Sequence, residues 1–189
     1  MLNTNARSLA PKIRSLIDYI EELEASVAVV TETWLSDGPH LEDDRQDLLL
    51  GAGLSMINKN REQSINGVTH GGVVVLFREE DCSFKEITFD NPDNCEVLVM
   101  VGSIQGLQRK VLLIACYIPP NYVTNRANAC LDYIYDIIIE LKRRYRDPYL
   151  IVSGDFNQWN VGRALEEFRD ITRRSHKGVE VNRPHFLQP

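Results

Sequence analysis

"IVSGDFNQWN", residues 151–160, is an apolar run that passes through a glycine and then delivers an aspartate and an asparagine two positions apart. On an extended backbone, side chains two apart point the same way. Asp155 and Asn157 would therefore share one side while Phe156 anchors the other. Gly154 lets the chain turn or approach a neighbour closely, with no side chain in the way. The same letters have a plainer reading, a strand closed by an Asx-rich turn, because Asp and Asn are both good turn formers. What bears on the choice is whether other strands of the chain end in the same manner.

Several do. Glu32 closes "VAVVTE", Tyr117 closes "VLLIACY" just before the rigid corner Pro119-Pro120-Asn121, and "LNTN" near the start offers Asn3 and Asn5 two apart. Each has an ordinary explanation of its own: an acid beside a helix start, a tyrosine at the rim of a core with its hydroxyl in water, and a frayed terminus. Gathered at one sheet edge, however, carboxylate, amide and phenol groups form a set of hard oxygen donors. Such a set suits magnesium, which takes one or two carboxylates and keeps several waters.

The segments between these strand ends supply the frame. "KIRSLIDYIEELEA" puts Ile13, Leu16, Ile17, Ile20 and Leu23 at helical spacing behind Pro11, which suits a first turn. "SVAVVTETWL" begins as a β-branched run with no wet face, hence a strand buried on both sides. Residues 36–71 read mostly as loop, with one strand near "LSMIN". "GGVVVLF", "CSFKEITF", "CEVLVMVGSI" and "KVLLIACYIPPN" are strands punctuated by Asp, Asn, Pro and Gly in the manner of antiparallel neighbours. "NACLDYIYDIIIELKRRYR" returns to helical period and closes on cations that favour a helix C-terminus. The expected fold class is α+β, with helices packed against mainly antiparallel sheet.

Length and composition narrow the field further. The 189 residues suit one domain, and 43% hydrophobic with 25% charged residues is an ordinary globular balance. No apolar run approaches a membrane span and no signal-peptide core opens the chain, so the expected location is intracellular, nuclear or cytoplasmic, and not secreted. Cys82, Cys95, Cys116 and Cys130 show no metal-ligand spacing and are expected to be buried free thiols. A net charge of −6 argues against a broad basic surface for nucleic acid. It leaves room for a metal-dependent nuclease, which must concentrate carboxylates to hold its cation.

In their order, "LNTNARSL", "VVTETWL", "HGGVVVLF", "LLIACYIPPN" and "LIVSGDFNQWN" resemble the endonuclease/exonuclease/phosphatase superfamily, and above all the endonuclease domain of non-LTR (LINE-type) retrotransposons. The resemblance runs over residues 1–172 and includes "ALEEFRDIT" as similar to the helix after the Gly-Asp-Phe-Asn strand; 173–189 match no family segment and are expected to be a divergent, mobile tail. It implies a four-layer sandwich of the DNase I-like kind, an α/β-type arrangement with two mainly antiparallel sheets face to face and helices outside. By position it implies Glu32 as the main ligand of a catalytic Mg²⁺, replaceable by Mn²⁺, with Asn3 beside it. Tyr117 would hold the scissile phosphate, Asp155 would orient or deprotonate the attacking water, and Asn157 would bond a phosphate oxygen. Asn5 and Asn121 are weaker candidates for substrate contact, and for Asn121 the Tyr-x-Pro-Pro-Asn corner has one residue more than the Tyr-x-Pro-Asn form of part of the family.

The substrate implied is DNA, nicked by hydrolysis, with no membrane partner and with a reverse transcriptase domain expected downstream in the parent protein. The family's C-terminal Ser-Asp-His motif has no counterpart among His40, His70, His176 and His185, and only Met1 and Leu2 precede the first Asn. The expectation is thus an incomplete domain with missing strands at one side and weak or lost activity. Two alternatives stand beside it: a phosphoesterase acting on a small phosphorylated substrate, and a non-catalytic interaction module built on the nuclease fold.

Overall fold

The computed structural model describes residues 1–35, 43–59, 70–91 and 95–159, omitting the side chains of 43–45. In chain order the elements are β1 (Leu2–Asn5), a 3₁₀ turn (Ala10–Lys12), α1 (Ile13–Glu22), β2 (Val27–Thr31), α2 (Asp43–Gly51), β3 (Leu54–Lys59), β4 (Val73–Arg78), β5 (Cys82–Glu86), β6 (Glu96–Ile104), β7 (Val111–Tyr117), α3 (Thr124–Arg144) and β8 (Tyr149–Asp155). They form two four-stranded sheets, ordered β1-β2-β4-β3 and β5-β6-β7-β8. Hairpin and meander neighbours pair antiparallel. β1 with β2, and β7 with β8, are parallel. Each parallel pair is bridged by a helix, α1 or α3, as a parallel crossover requires.

Apolar residues sort into three layers. Between the sheets lie Val29, Val73, Val75, Phe77, Leu98, Met100, Leu113 and Ala115. Outside the first sheet, Ile13, Leu16, Ile17 and Ile20 of α1 cover Ala28, Val30, Val74 and Leu76. Outside the second, Ile134, Ile137, Ile138 and Leu141 of α3 cover Val97, Val99, Leu112 and Ile114. Strands β2, β4 and β7 are thus apolar on both faces, and this is why their sequences show no alternation. The result is the helix–sheet–sheet–helix sandwich expected.

Three expectations are corrected. Residues 43–51, read as loop, form α2: Leu48 and Leu49 pack on the first outer layer while Leu50 is 58% exposed, and the acid-rich "EDDRQD" hides this helix from a periodicity reading. "LNTN", read for its two amides and given no element of its own, is itself strand β1, in parallel register with Ala28–Thr31. The strand at 149–155 stops at Asp155 and does not carry an extended alternation on to Asn157, whose φ of 50° turns the chain. The 173–189 tail, the "ALEEFRDIT" helix and His40, His176 and His185 lie outside the described residues. All four cysteines are buried thiols outside any disulfide, as anticipated. Burial pushes the Cys82 thiol up to about 11, helped by Asp81.

Candidate active site

The sandwich brings one end of β1 and β2 across from β8, and the polar strand ends meet there. Asn3 donates its side-chain N–H to the carbonyl of Gly154 at 2.9 Å. Asn5 donates to Asp155 Oδ2, also at 2.9 Å. Both donors come from β1 and both acceptors from β8, so the two amides two apart in "LNTN" stitch one sheet to the other. Asn3's nitrogen is committed, which leaves its Oδ1 without a protein partner among the described residues.

Glu32 follows β2 with a φ of 51°, and Trp34 repeats the left-handed conformation at 53°. Non-glycine residues adopt this region at a cost of about 1–2 kcal/mol each. The turn is held by Ser8 N–H on the Glu32 carbonyl and Leu9 N–H on that of Thr33, both at 2.9 Å. So held, Glu32 accepts a hydrogen bond from the Tyr117 hydroxyl at 3.1 Å. Tyr117 is only 7% exposed and stands beside Asp155 in the β7–β8 register. Burial raises its phenol above the ordinary range, and the charges of Glu32, Glu96 and Asp155 add to the effect. Tyr117 therefore stays a neutral hydrogen-bond donor at any physiological pH.

Asp155 is fixed at both oxygens, by Asn5 at Oδ2 and by the Asn157 backbone N–H on Oδ1 at 3.0 Å. Asn157 in turn donates its side chain to the Ile118 carbonyl at 2.9 Å. The plainer reading of "GDFN" is the one the backbone shows: it is an Asx turn, and that turn fixes the Asp155 carboxylate within reach of Asn5. Gly154 has a structural necessity, since a Cβ there would lie 1.8 Å from the Cys116 carbonyl oxygen. Its close approach seats β8 on β7 at the site.

Asn3, Glu32, Tyr117, Asp155, Asn157 and Asn5 are thus linked by hydrogen bonds and strand register at one end of the sandwich. Asn121, exposed in the corner after β7, makes no side-chain bond to them. The sequence reading missed Glu96. It opens β6 directly opposite Tyr117, is 3% exposed, and accepts from the Gly72 backbone N–H. Its signal was present as the single acid at the head of the apolar run "EVLVMV". His70 is also near the cluster's rim, edge-on to the Trp34 ring at 4.6 Å.

The donor set is oxygen-rich and short of positive charge: no cationic side chain among the described residues forms an ion pair with Glu32 or Asp155. Among the described residues no three His, Cys, Asp or Glu side chains cluster as a protein-only cage. One or two carboxylates with an amide oxygen and water is the donor chemistry of a magnesium-type site, so these residues fit such a cation.

No protein-family profile matches the sequence, and no curated protein matches it either. Solved structures do. A structure of ANGEL2, a 2',3'-cyclic phosphatase, in complex with adenosine-2',3'-vanadate superposes with a TM-score of 0.60 at 16% identity, over 77% of this chain and 44% of that one. Truncated Caenorhabditis elegans TDP2 gives 0.55 at 15% identity, over 83% and 61%, and an AP endonuclease from Archaeoglobus fulgidus gives 0.51 at 16%, over 82% and 57%. The fold is DNase I-like. These DNase I-like neighbours belong to the endonuclease/exonuclease/phosphatase superfamily. The chain spans about half of the length of the DNase I-like structures it matches.

Proposed function

We propose that this chain is the endonuclease part of a LINE-type retrotransposon protein and hydrolyses phosphodiester bonds in DNA, using Glu32, Asn3, Asp155, Asn157 and Tyr117. The observation that carries the reading is the convergence of Glu32 from one sheet with Tyr117 and Asp155 from the other, each held by a named hydrogen bond. Two parts of a hydrolytic mechanism are then in hand. Asp155, with both oxygens oriented by N–H donors, is set to accept a proton from an attacking water. Tyr117, kept neutral by its surroundings, and the Asn157 amide are donors for phosphate oxygens as charge builds on them.

Glu32 and the Oδ1 of Asn3 would hold Mg²⁺ or Mn²⁺, which when bound supplies Lewis-acid stabilisation of the phosphoryl charge. The negative charges of Glu32, Glu96 and Asp155 around Tyr117 would favour a cation at this place. The order of motifs, with "ETWL", "YIPPN" and "GDFN", supports a LINE-type endonuclease.

Supercoiled plasmid in Mg²⁺ tests the proposal. The 189-residue chain should nick slowly, and Asp155→Ala should remove that nicking. Appending a Ser-Asp-His segment from a LINE-type endonuclease should raise the rate by about 10²- to 10³-fold, the usual effect of one transition-state donor. Nicking indifferent to Asp155→Ala would overturn the assignment. A second reading, hydrolysis of a small phosphorylated substrate, draws support from the resemblance to the 2',3'-cyclic phosphatase. Turnover of a cyclic 2',3'-nucleotide without plasmid nicking would favour it.

A further inference from the structure

The strongest unexplained group is Glu96. A carboxylate that is 3% exposed at the head of an apolar strand is costly to bury, so its environment should show what it does. Its Oε2 accepts the backbone N–H of Gly72. The fit around the two glycines is tight: a Cβ on Gly71 would lie 2.5 Å from Glu96 Oε2, and one on Gly72 would lie 2.4 Å from Thr33 Oγ1. Both glycines have positive φ, 105° and 89°. Only a pair without side chains can pass between the carboxylate and the Thr33 hydroxyl.

The same two glycines hold the Glu32 turn. Trp34 N–H donates to the Gly71 carbonyl at 2.9 Å, and Thr33 N–H reaches the Gly72 carbonyl at 3.5 Å. The contacts close into a ring that crosses both sheets: Glu96 binds Gly72, the glycine pair binds Thr33 and Trp34, Glu32 next to them binds Tyr117, and Tyr117 pairs with Glu96 across β6 and β7. Cut the ring at Glu96, and the Glu32 turn loses its tie to the second sheet on the β6 side.

We propose that Glu96 is a positioning residue that fixes the Glu32 turn through Gly71 and Gly72. It touches neither substrate nor metal in this scheme. Its effect on metal binding rests on the function proposed above, but its effect on the turn does not. The bent, left-handed backbone at Glu32 and Trp34 needs such a tie, because a strained turn persists only where the surroundings over-determine it.

Two measurements on the whole chain test this. Amide hydrogen exchange is followed at Gly72 and Trp34, with Ile114 in the middle of β7 as a control for global stability. Glu96→Ala should accelerate Gly72 and Trp34 by about tenfold, as expected for loss of one hydrogen bond to a charged acceptor, and leave Ile114 unchanged. Glu96→Gln keeps an acceptor and should restore protection. Where the alanine variant does not fold, Glu96→Asp, which withdraws the carboxylate by one methylene, should accelerate the same two amides. Calorimetric titration with Mg²⁺ should show affinity about tenfold weaker in Glu96→Ala, the usual size of an outer-shell effect.

Trp34 exchange at the parent rate in Glu96→Ala or Glu96→Asp would overturn the proposal, as would equal Mg²⁺ affinity in parent and variant. If the parent binds no Mg²⁺ and cleaves nothing, the function proposed above falls, and the exchange result alone decides the role of Glu96.

Discussion

Replacing Gly154 by alanine tests the seat of the site directly. The added Cβ would stand 1.8 Å from the Cys116 carbonyl oxygen and 2.9 Å from the Cys116 nitrogen, both backbone atoms. Ordinary contact begins near 3.4 Å, so β8 must retreat from β7 by about 1.5 Å at the Cys116–Gly154 pair. That retreat weakens one or two ladder hydrogen bonds, at about 1 kcal/mol each. The φ of 146° adds about 1–3 kcal/mol of backbone strain for any residue with a side chain.

The sum is about 2–5 kcal/mol, a large part of the roughly 5–15 kcal/mol that holds a domain together. For a chain of this size it corresponds to a fall in Tm of about 4–20 °C. Gly106→Ala is the matched control. Gly106 also has positive φ, 83°, but has nothing within 4 Å of its would-be Cβ, so only the local cost of about 1–2 kcal/mol applies. Urea midpoints at constant m-value give both losses. Equal shifts for the two variants would show that the close β7–β8 approach at Gly154 is not what the sequence is protecting.

Further outcomes follow from the site. Mg²⁺ at ten times its dissociation constant should stabilise the chain by about 1.4 kcal/mol, a rise of about 3–6 °C in Tm, and Glu32→Ala should abolish that rise in a thermal-shift assay. Tyr117→Phe should leave Mg²⁺ affinity within about threefold while lowering the nicking rate of the appended chain by about 10²-fold, since it removes only a donor; a loss of metal affinity with no loss of rate would reverse its assigned role. The folded-state values of Tyr117 and Tyr133 are raised, that of Tyr133 to about 12, by burial first in each case. The stability these phenols contribute is therefore complete below their unfolded value near 10 and is lost as the pH climbs through the folded values. Urea midpoints should fall between about pH 10 and 12, and less steeply in Tyr133→Phe; parallel curves would exclude Tyr133 as a source.

The parts of the fold that could be read from the sequence are those where one physical signal dominates. β2, β4 and β7 are uninterrupted β-branched and aliphatic runs, and α1 and α3 carry apolar residues at helical period. α2 was hidden because its acidic start and three adjacent leucines show no helical period, although Leu48 and Leu49 are the pair that pack. The relation of β1 to β8 lies about 150 positions apart in sequence and depends on how two sheets face each other, so only a family resemblance could anticipate it. At the site, Asp155, Glu32 and Tyr117 were readable as polar ends of apolar strands. Glu96 was not, because it begins its strand, and the expectation looked only at where strands finish.

Glu32 and Trp34 sit in left-handed backbone that glycine would occupy with less strain, and neither is glycine. Directed evolution for heat resistance alone, with no demand placed on hydrolysis, should find these positions early and replace them. A library under that selection would drift toward a more durable and chemically silent sandwich. The stability such variants gain would measure how much of the chain's robustness is held in reserve at the Glu32 turn to keep a carboxylate facing Tyr117.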